Sequence, residues 1–231
     1  MSPLGRTSWG GLHCLSLGSL GANNTPRWRT TIHTGSRRRT VSGEDARQPP
    51  WVLVTGNANK RREAERIMGR RLETAAIDLP EIQSGDLIEV LRFKAEAAWQ
   101  RLERPVVVEE TGLELACMNG FPGPLVKWML EAVGDEGIAN VAIRAGDPGV
   151  VARCALMLRD GEREVIAEGA TTGRLVLPPR GEGGFGWDPV FEPDGLERTY
   201  AELGDEVKDR IGHRGRAWRE FLRALDWPER G

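Results

Sequence analysis

The chain has 231 residues, of which 39% are hydrophobic and 29% charged, and its formal net charge is −2. That suffices for one domain with a substantial core, lacks the basic excess of a generic nucleic-acid binder, and contains no run near the roughly 18 apolar residues of a membrane span. Cys14, Cys117 and Cys154 form no CxxC pair, which excludes a disulfide framework or zinc knuckle and suits a reducing compartment, so a cytoplasmic location is expected.

Residues 1–50 hold seven Arg, no Lys and only two acids, Glu44 and Asp45, which leaves 25 basic and 32 acidic side chains, or −7, in 51–231. The first segment has no apolar h-region and is expected to be a disordered basic extension. An organellar leader, a tail or an upstream start would give the same composition.

Ordered structure is expected from Trp51 onward. WVLVT predicts a buried strand, GNANK its turn, and a helix follows through about Met68. A second strand is predicted over Glu73–Ile77. From Ile88, apolar residues at Leu91, Ala95, Ala98, Trp99 and Leu102 mark one helix face. Pro105 then precedes VVV and the adjacent acids Glu109 and Glu110.

After the loop from Gly120 to Pro124, the apolar spacing predicts two short helices, one around Trp128–Val133 and one around Ile138–Ala142. Residues 151–159, 163–170 and 173–177 predict strands, with Asp160-Gly161 as the first turn. The Gly-rich segment from Pro178 to Gly186 is a loop, Phe191–Gly204 connects, and Ala217, Trp218, Phe221, Leu222 and Leu225 mark a last helix. The expected fold is α/β with two lobes: a central twisted sheet, an inserted hairpin lobe and a cleft between the lobes.

Four clusters carry candidate chemistry. Thr55, Gly56, Asn57 and Lys60 lie at a strand-to-helix junction, where free N–H groups and a lysine suit phosphate; an ordinary N-capped turn would use the same residues. Glu109 and Glu110, with Glu81 as a remote third acid, suit Mg²⁺ if a turn at Thr111-Gly112 lets both strand residues reach one cleft. Solvent-facing charge is the plain alternative. Phe185, Gly186, Trp187 and Asp188 offer rings and an acceptor to a flat ligand, or an anchored turn. Lys208, His213 and Arg214 offer donors, or a capped helix end with surface charge.

In order, TGNANK, IDLPE, FKAEAA, VVVEETGL, GFPGPLVKW, GFGWDP, TYAEL and KDRIGHRGRA resemble the inosine triphosphate pyrophosphatase family over nearly all of 51–231. The resemblance implies a two-lobed mixed α/β homodimer that hydrolyses ITP, dITP and XTP to the monophosphate and pyrophosphate with Mg²⁺, for which Mn²⁺ is a substitute. It places phosphate-loop residues at Thr55, Asn57 and Lys60, metal ligands at Glu81 and Glu109 with Glu110 adjacent, a further substrate lysine at Lys127, base-site residues at Phe185–Asp188, and late contacts at Lys208, His213 and Arg214.

The expected division of labour has Glu81 and Glu109 holding the metal and Glu110 positioning the water, while Lys60, Lys127 and Lys208 offset phosphate charge. Neither nucleic acid nor membrane is an expected partner. Glu110 stands where the family usually has Asp, and Gly212 where it usually has Ser. A pyrophosphatase for other modified nucleotides, or a non-catalytic nucleotide-binding protein, would use much the same residues.

Overall fold

Trp51, Val52, Leu53 and Val54 form a run of buried apolar side chains, the pattern of a strand covered on both faces. The computed structural model that contains this run describes residues 31–33 and 49–227. Apart from Thr31–His33 and residues 49 and 50, the expected basic extension lies outside the described residues.

The chain begins with β1 (Thr31–His33), β2 (Val52–Val54), α1 (Ala58–Met68), β3 (Thr74–Ala75), α2 (Leu87–Leu102) and β4 (Val106–Leu115). It continues through β5 (Pro122–Gly123), α3 (Val126–Arg144), β6 (Gly149–Asp160), β7 (Arg163–Leu175) and β8 (Phe191–Pro193). It ends in α4 (Asp205–Ile211) and α5 (His213–Ala224). The strands make one eight-stranded mixed sheet in the order β1-β7-β6-β4-β2-β3, with β5 added to β4 and β8 to β7. Strand β2 runs parallel to β3 and β4; the other pairings are antiparallel.

Local chemistry sets the helix ends. The Asn57 side chain accepts the N–H groups of Asn59 and Lys60, and Gly69 closes α1 in the left-handed conformation. The Asp86 carboxylate caps α2 in the same way. The two helices predicted for 126–144 are one span broken at Gly134, whose φ of 70° and ψ of 178° interrupt the helical backbone.

Three clusters fill the core. Trp51, Leu53, Val107, Leu156, Trp218 and Phe221 pack on the sheet face under α1 and α5. Leu91, Val106, Val108 and Met157 pack on the opposite face, under α2. Beyond the middle of β4, Leu113, Ile138, Val150, Phe191 and Tyr200 form a third cluster with α3.

The expected hairpin, β6–β7, is built onto the central sheet. It pairs with β4 from Val106 opposite Arg159 to Leu115 opposite Val150, so both lobes share a continuous sheet. The strands predicted at 163–170 and 173–177 are likewise one strand.

Helix α5 lies directly on β7 because Gly169 has no side chain: a Cβ there would come within 2.3 Å of the Ala217 nitrogen and 2.4 Å of the His213 carbonyl oxygen. This close approach fixes the first turn of α5, which carries His213 and Arg214, against the sheet. No helix among the described residues is long and apolar enough to cross a membrane.

Candidate active site

The β2–α1 turn enters the cleft first. Thr55 Oγ1 accepts the Asn57 N–H at 3.1 Å, and Asn57 Oδ1 accepts from Asn59 and Lys60 at 2.9 and 3.1 Å. The turn is therefore held rigid before any ligand arrives, with Gly56 at its tip and Lys60 in the first helical turn.

The turn expected at Thr111-Gly112 does not occur, which corrects the placement of the acidic pair. Strand β4 runs unbroken through both acids, and its side chains alternate between faces. Glu110 points toward α2 and into the cleft, where its carboxylate accepts a hydrogen bond from Lys94. Glu109 points the other way, is 3% exposed, and accepts from Arg214 Nε at 2.9 Å and Trp218 Nε1 at 3.4 Å. The expected pairing of Glu109 with Glu81 is replaced by Glu81 with Glu110, the two acids that meet at the Lys94 ammonium.

Burial alone would raise the Glu110 carboxyl, but the charges of Lys60 and Lys94 outweigh it and hold the pKa below the usual carboxylate range. Burial would lower Lys94, but Glu110 and Glu81 outweigh it and raise its pKa. Both groups stay charged near neutrality.

A chain of alternating charges lies behind the cleft wall. Lys60 Nζ is 3.7 Å from Glu109; Glu109 bonds Arg214; Arg214 bonds Glu63; Glu63 bonds Lys208 at 2.8 Å; and Lys208 bonds Asp188 at 2.6 Å. Glu63, Glu109, Asp188, Lys208 and Arg214 are all buried. Each charge except those at the two ends lies between two of opposite sign, which offsets the desolvation that a lone buried charge would suffer. For Glu63 burial pushes the pKa up, yet Arg214 and Lys208 prevail and bring it down to about 2.

Lys208 and Asp188 thus have structural partners as well as faces on the cleft. Asp188 Oδ2 also accepts the Phe185 N–H at 2.7 Å. The Phe185 ring covers two of the cations, 5.0 Å from Lys208 Nζ and 5.5 Å from the Arg214 guanidinium carbon. His213 is buried beside the rings of Trp187 and Tyr200, each centroid 6.0 Å away, and its Nδ1 has no hydrogen-bond partner. Burial, with the neighbouring Arg214 and Lys208 charges, drives its pKa well below the ordinary histidine value.

These walls enclose a cleft of about 650 Å³. Thr55, Gly56, Asn57, Lys60, Glu81, Glu110, Lys127, Phe185, Gly186, Trp187, Asp188, Lys208, His213 and Arg214 all line it; of the expected site residues only Glu109 does not. Glu63 and Lys94 were not among those expected. Each carried a signal: Glu63 follows Lys60 by three positions beside the buried Ala64, and Lys94 interrupts the apolar face formed by Leu91, Ala95 and Ala98. A charge on the buried side of a helix needs a buried partner.

No group of three or more His, Cys, Asp or Glu side chains among the described residues is placed to hold a metal ion. Glu81 and Glu110 nevertheless already share one cationic group, the Lys94 ammonium, with Nζ 3.3 Å from Glu81 Oε1. Their hard oxygen donors suit Mg²⁺, which takes one or two carboxylates and completes its shell with water and phosphate.

Residues 51–224 match the Ham1 family. Inosine triphosphate pyrophosphatase 2 of Trypanosoma cruzi (strain CL Brener) is 43% identical over 170 residues, covering 72% of this chain and 87% of the relative. Inosine triphosphate pyrophosphatase of Batrachochytrium dendrobatidis is 41% identical over 170 residues, covering 72% and 88%. Among solved structures, a HAM1 protein from Coxiella burnetii is similar with a TM-score of 0.66 at 26% identity, covering 76% of this chain and 97% of that one. A nucleoside-triphosphatase / dITP/XTP pyrophosphatase from Mycobacterium abscessus has a TM-score of 0.57 at 30% identity, covering 75% and 97%. With the family pattern running from β2 through α5 and around the cleft, the chain belongs to the Ham1 family of noncanonical purine nucleoside triphosphate pyrophosphatases.

Proposed function

We propose that the cleft hydrolyses inosine- and xanthine-type nucleoside triphosphates between the α and β phosphates, yielding the nucleoside monophosphate and pyrophosphate. The observation that carries this reading is the convergence of a rigid N-capped turn, a cleft-facing acid pair and a ring-lined wall on one cavity.

The triphosphate lies along the lysine-bearing side, where Lys60, Lys94 and Lys127 offset its charge. Mg²⁺, or Mn²⁺ in its place, would be held by Glu81 and Glu110 and supplies electrostatic stabilisation of the phosphate oxygens. Glu110 accepts a hydrogen bond from the attacking water and orients it toward the α phosphorus. Its lowered pKa makes it a better acceptor for positioning than a base for full deprotonation. The water oxygen bonds to the α phosphorus as the bond to the bridging oxygen breaks; pyrophosphate leaves and the surplus proton passes to solvent.

The base lies against Phe185 and Trp187. His213, held neutral, presents one N–H suited to a 6-oxo group, and a 6-amino group in its place would leave that donor unmatched, at about 1–3 kcal/mol. The proposal includes a homodimer, as the family resemblance implies, acting in the cytoplasm without nucleic acid, as the cysteine usage and charge balance suggest; a monomer by light scattering would remove the first part.

The test is a panel of ITP, XTP, GTP and ATP with Mg²⁺ and pyrophosphate detection. Pyrophosphate from ITP and XTP in excess over ATP is expected. Orthophosphate instead of pyrophosphate, or no product above an E110Q control, would overturn the reading.

A further inference from the structure

Lys94 projects from the middle of α2 onto the face that packs against β4, and its side chain is only 15% exposed. Its ammonium bonds both Glu81 and Glu110, which come from different parts of the chain. An ammonium and a divalent cation seek the same carboxylate oxygens, and like charges at contact distance repel. Both cannot sit between these acids together.

A triphosphate changes the balance. The cleft wall around Lys94 also carries Lys60 and the Thr55–Asn57 turn, so a phosphate chain there would give a displaced lysine a new counter-charge within reach of its flexible stem. Without the triphosphate, a displaced Lys94 finds only weaker partners among the other cleft-lining acids, since Asp188 is already bonded to Lys208, and Asp78 and Glu131 are exposed, where solvent screens an ion pair.

We propose that Lys94 is an internal competitor of the divalent cation, occupying the Glu81–Glu110 site until a triphosphate draws its ammonium away, so that metal and nucleotide bind interdependently. The inference rests on the reading of Glu81 and Glu110 as the cation ligands. Its consequence is a cleft that holds metal weakly when empty and assembles its full charge set only around substrate. By linkage, whatever the triphosphate does for the metal, the metal does equally for the triphosphate.

The test measures Mn²⁺ alone by electron paramagnetic resonance of the free ion, on the full chain and on K94Q, K94R and K94Q/E110Q. A second arm follows α,β-methylene-ITP in EDTA by calorimetry. K94Q is expected to bind Mn²⁺ about 10-fold more tightly than the parent and the metal-free analogue more weakly, whereas K94R, which keeps the charge, follows the parent. A merely structural role for Lys94 would not move the two affinities in opposite directions.

If K94Q leaves Mn²⁺ affinity unchanged while K94Q/E110Q abolishes binding, the competitor role is overturned and the acids remain the cation ligands. If Mn²⁺ binding survives in K94Q/E110Q, the ligand assignment falls and the competitor role with it.

Discussion

Lys208 Nζ lies 2.8 Å from Glu63 Oε1, a buried contact that joins α4 to α1 across 145 positions of sequence. Through Glu63 it reaches Arg214, and through Arg214 it reaches Glu109 on the central strand. The back of the cleft is therefore braced by charge, and the groups that face the ligand inherit their positions from groups that do not.

Removing the Glu63 charge tests the brace. Glu63→Gln keeps the shape but leaves Lys208 and Arg214 each short of a counter-ion in a buried site. Breaking a buried pair from one side costs about 3–5 kcal/mol. Urea denaturation should show a loss of that size, and ITP turnover should fall with it.

Acid stability should follow the same groups. Glu63 has its pKa lowered from 4.5 to about 2, so its contribution is complete above the unfolded value and is lost as pH falls through the folded one. Such a shift corresponds to about 3 kcal/mol, lost between roughly pH 4.5 and 2. His213 is also depressed, so its contribution is present above the unfolded histidine value and is lost as pH drops below it. Stability measured against pH should begin to decline below about 6.5 and steepen below about 4.5; E63Q should flatten the lower limb and H213N the upper.

The neighbours Glu109 and Glu110 should separate cleanly. Glu110→Gln faces the cleft and should lower kcat by about 10²–10⁴-fold, with a smaller loss of stability than Glu109→Gln because its side chain borders the open cleft. Glu109→Gln lies behind the wall, pairs Arg214, and should cost about 3–5 kcal/mol in denaturation before any kinetic effect is considered. Similar stability for the two variants would contradict their placement on opposite faces.

Gly169→Ala should lift α5 from β7. The added Cβ meets two backbone atoms of α5 at under 2.5 Å, and backbone cannot rotate away as a side chain can. A loss of about 1–3 kcal/mol is expected in thermal unfolding, with a raised KM for ITP because His213 and Arg214 move with the helix.

Gly212, where the family resemblance implies Ser, is constrained in the same way. A Cβ there would approach the Lys208 carbonyl oxygen to 2.6 Å. In this chain a serine would press on the end of α4 that carries Lys208, so the departure matches the local packing.

What the sequence determined by itself is local. A run of apolar residues closed by Thr55-Gly56-Asn57 can do little but end a strand and cap a helix, and α1 begins and ends at Ala58 and Met68 because Asn57 and Gly69 satisfy its termini. Spacing on α2 fixed its buried face, and the ordered motifs named the residues that converge on the cleft. The short strands β5 and β8 were not legible because they exist only through pairing with β4 and β7. Tertiary structure alone decided that Glu109 turns inward to Arg214 while Glu110 turns outward to Lys94, since alternation separates the two acids but only the helices packed on each face say which becomes wall and which becomes site. It also decided the role of Glu63, because a charge can be buried only where partners distant in sequence are brought to meet it.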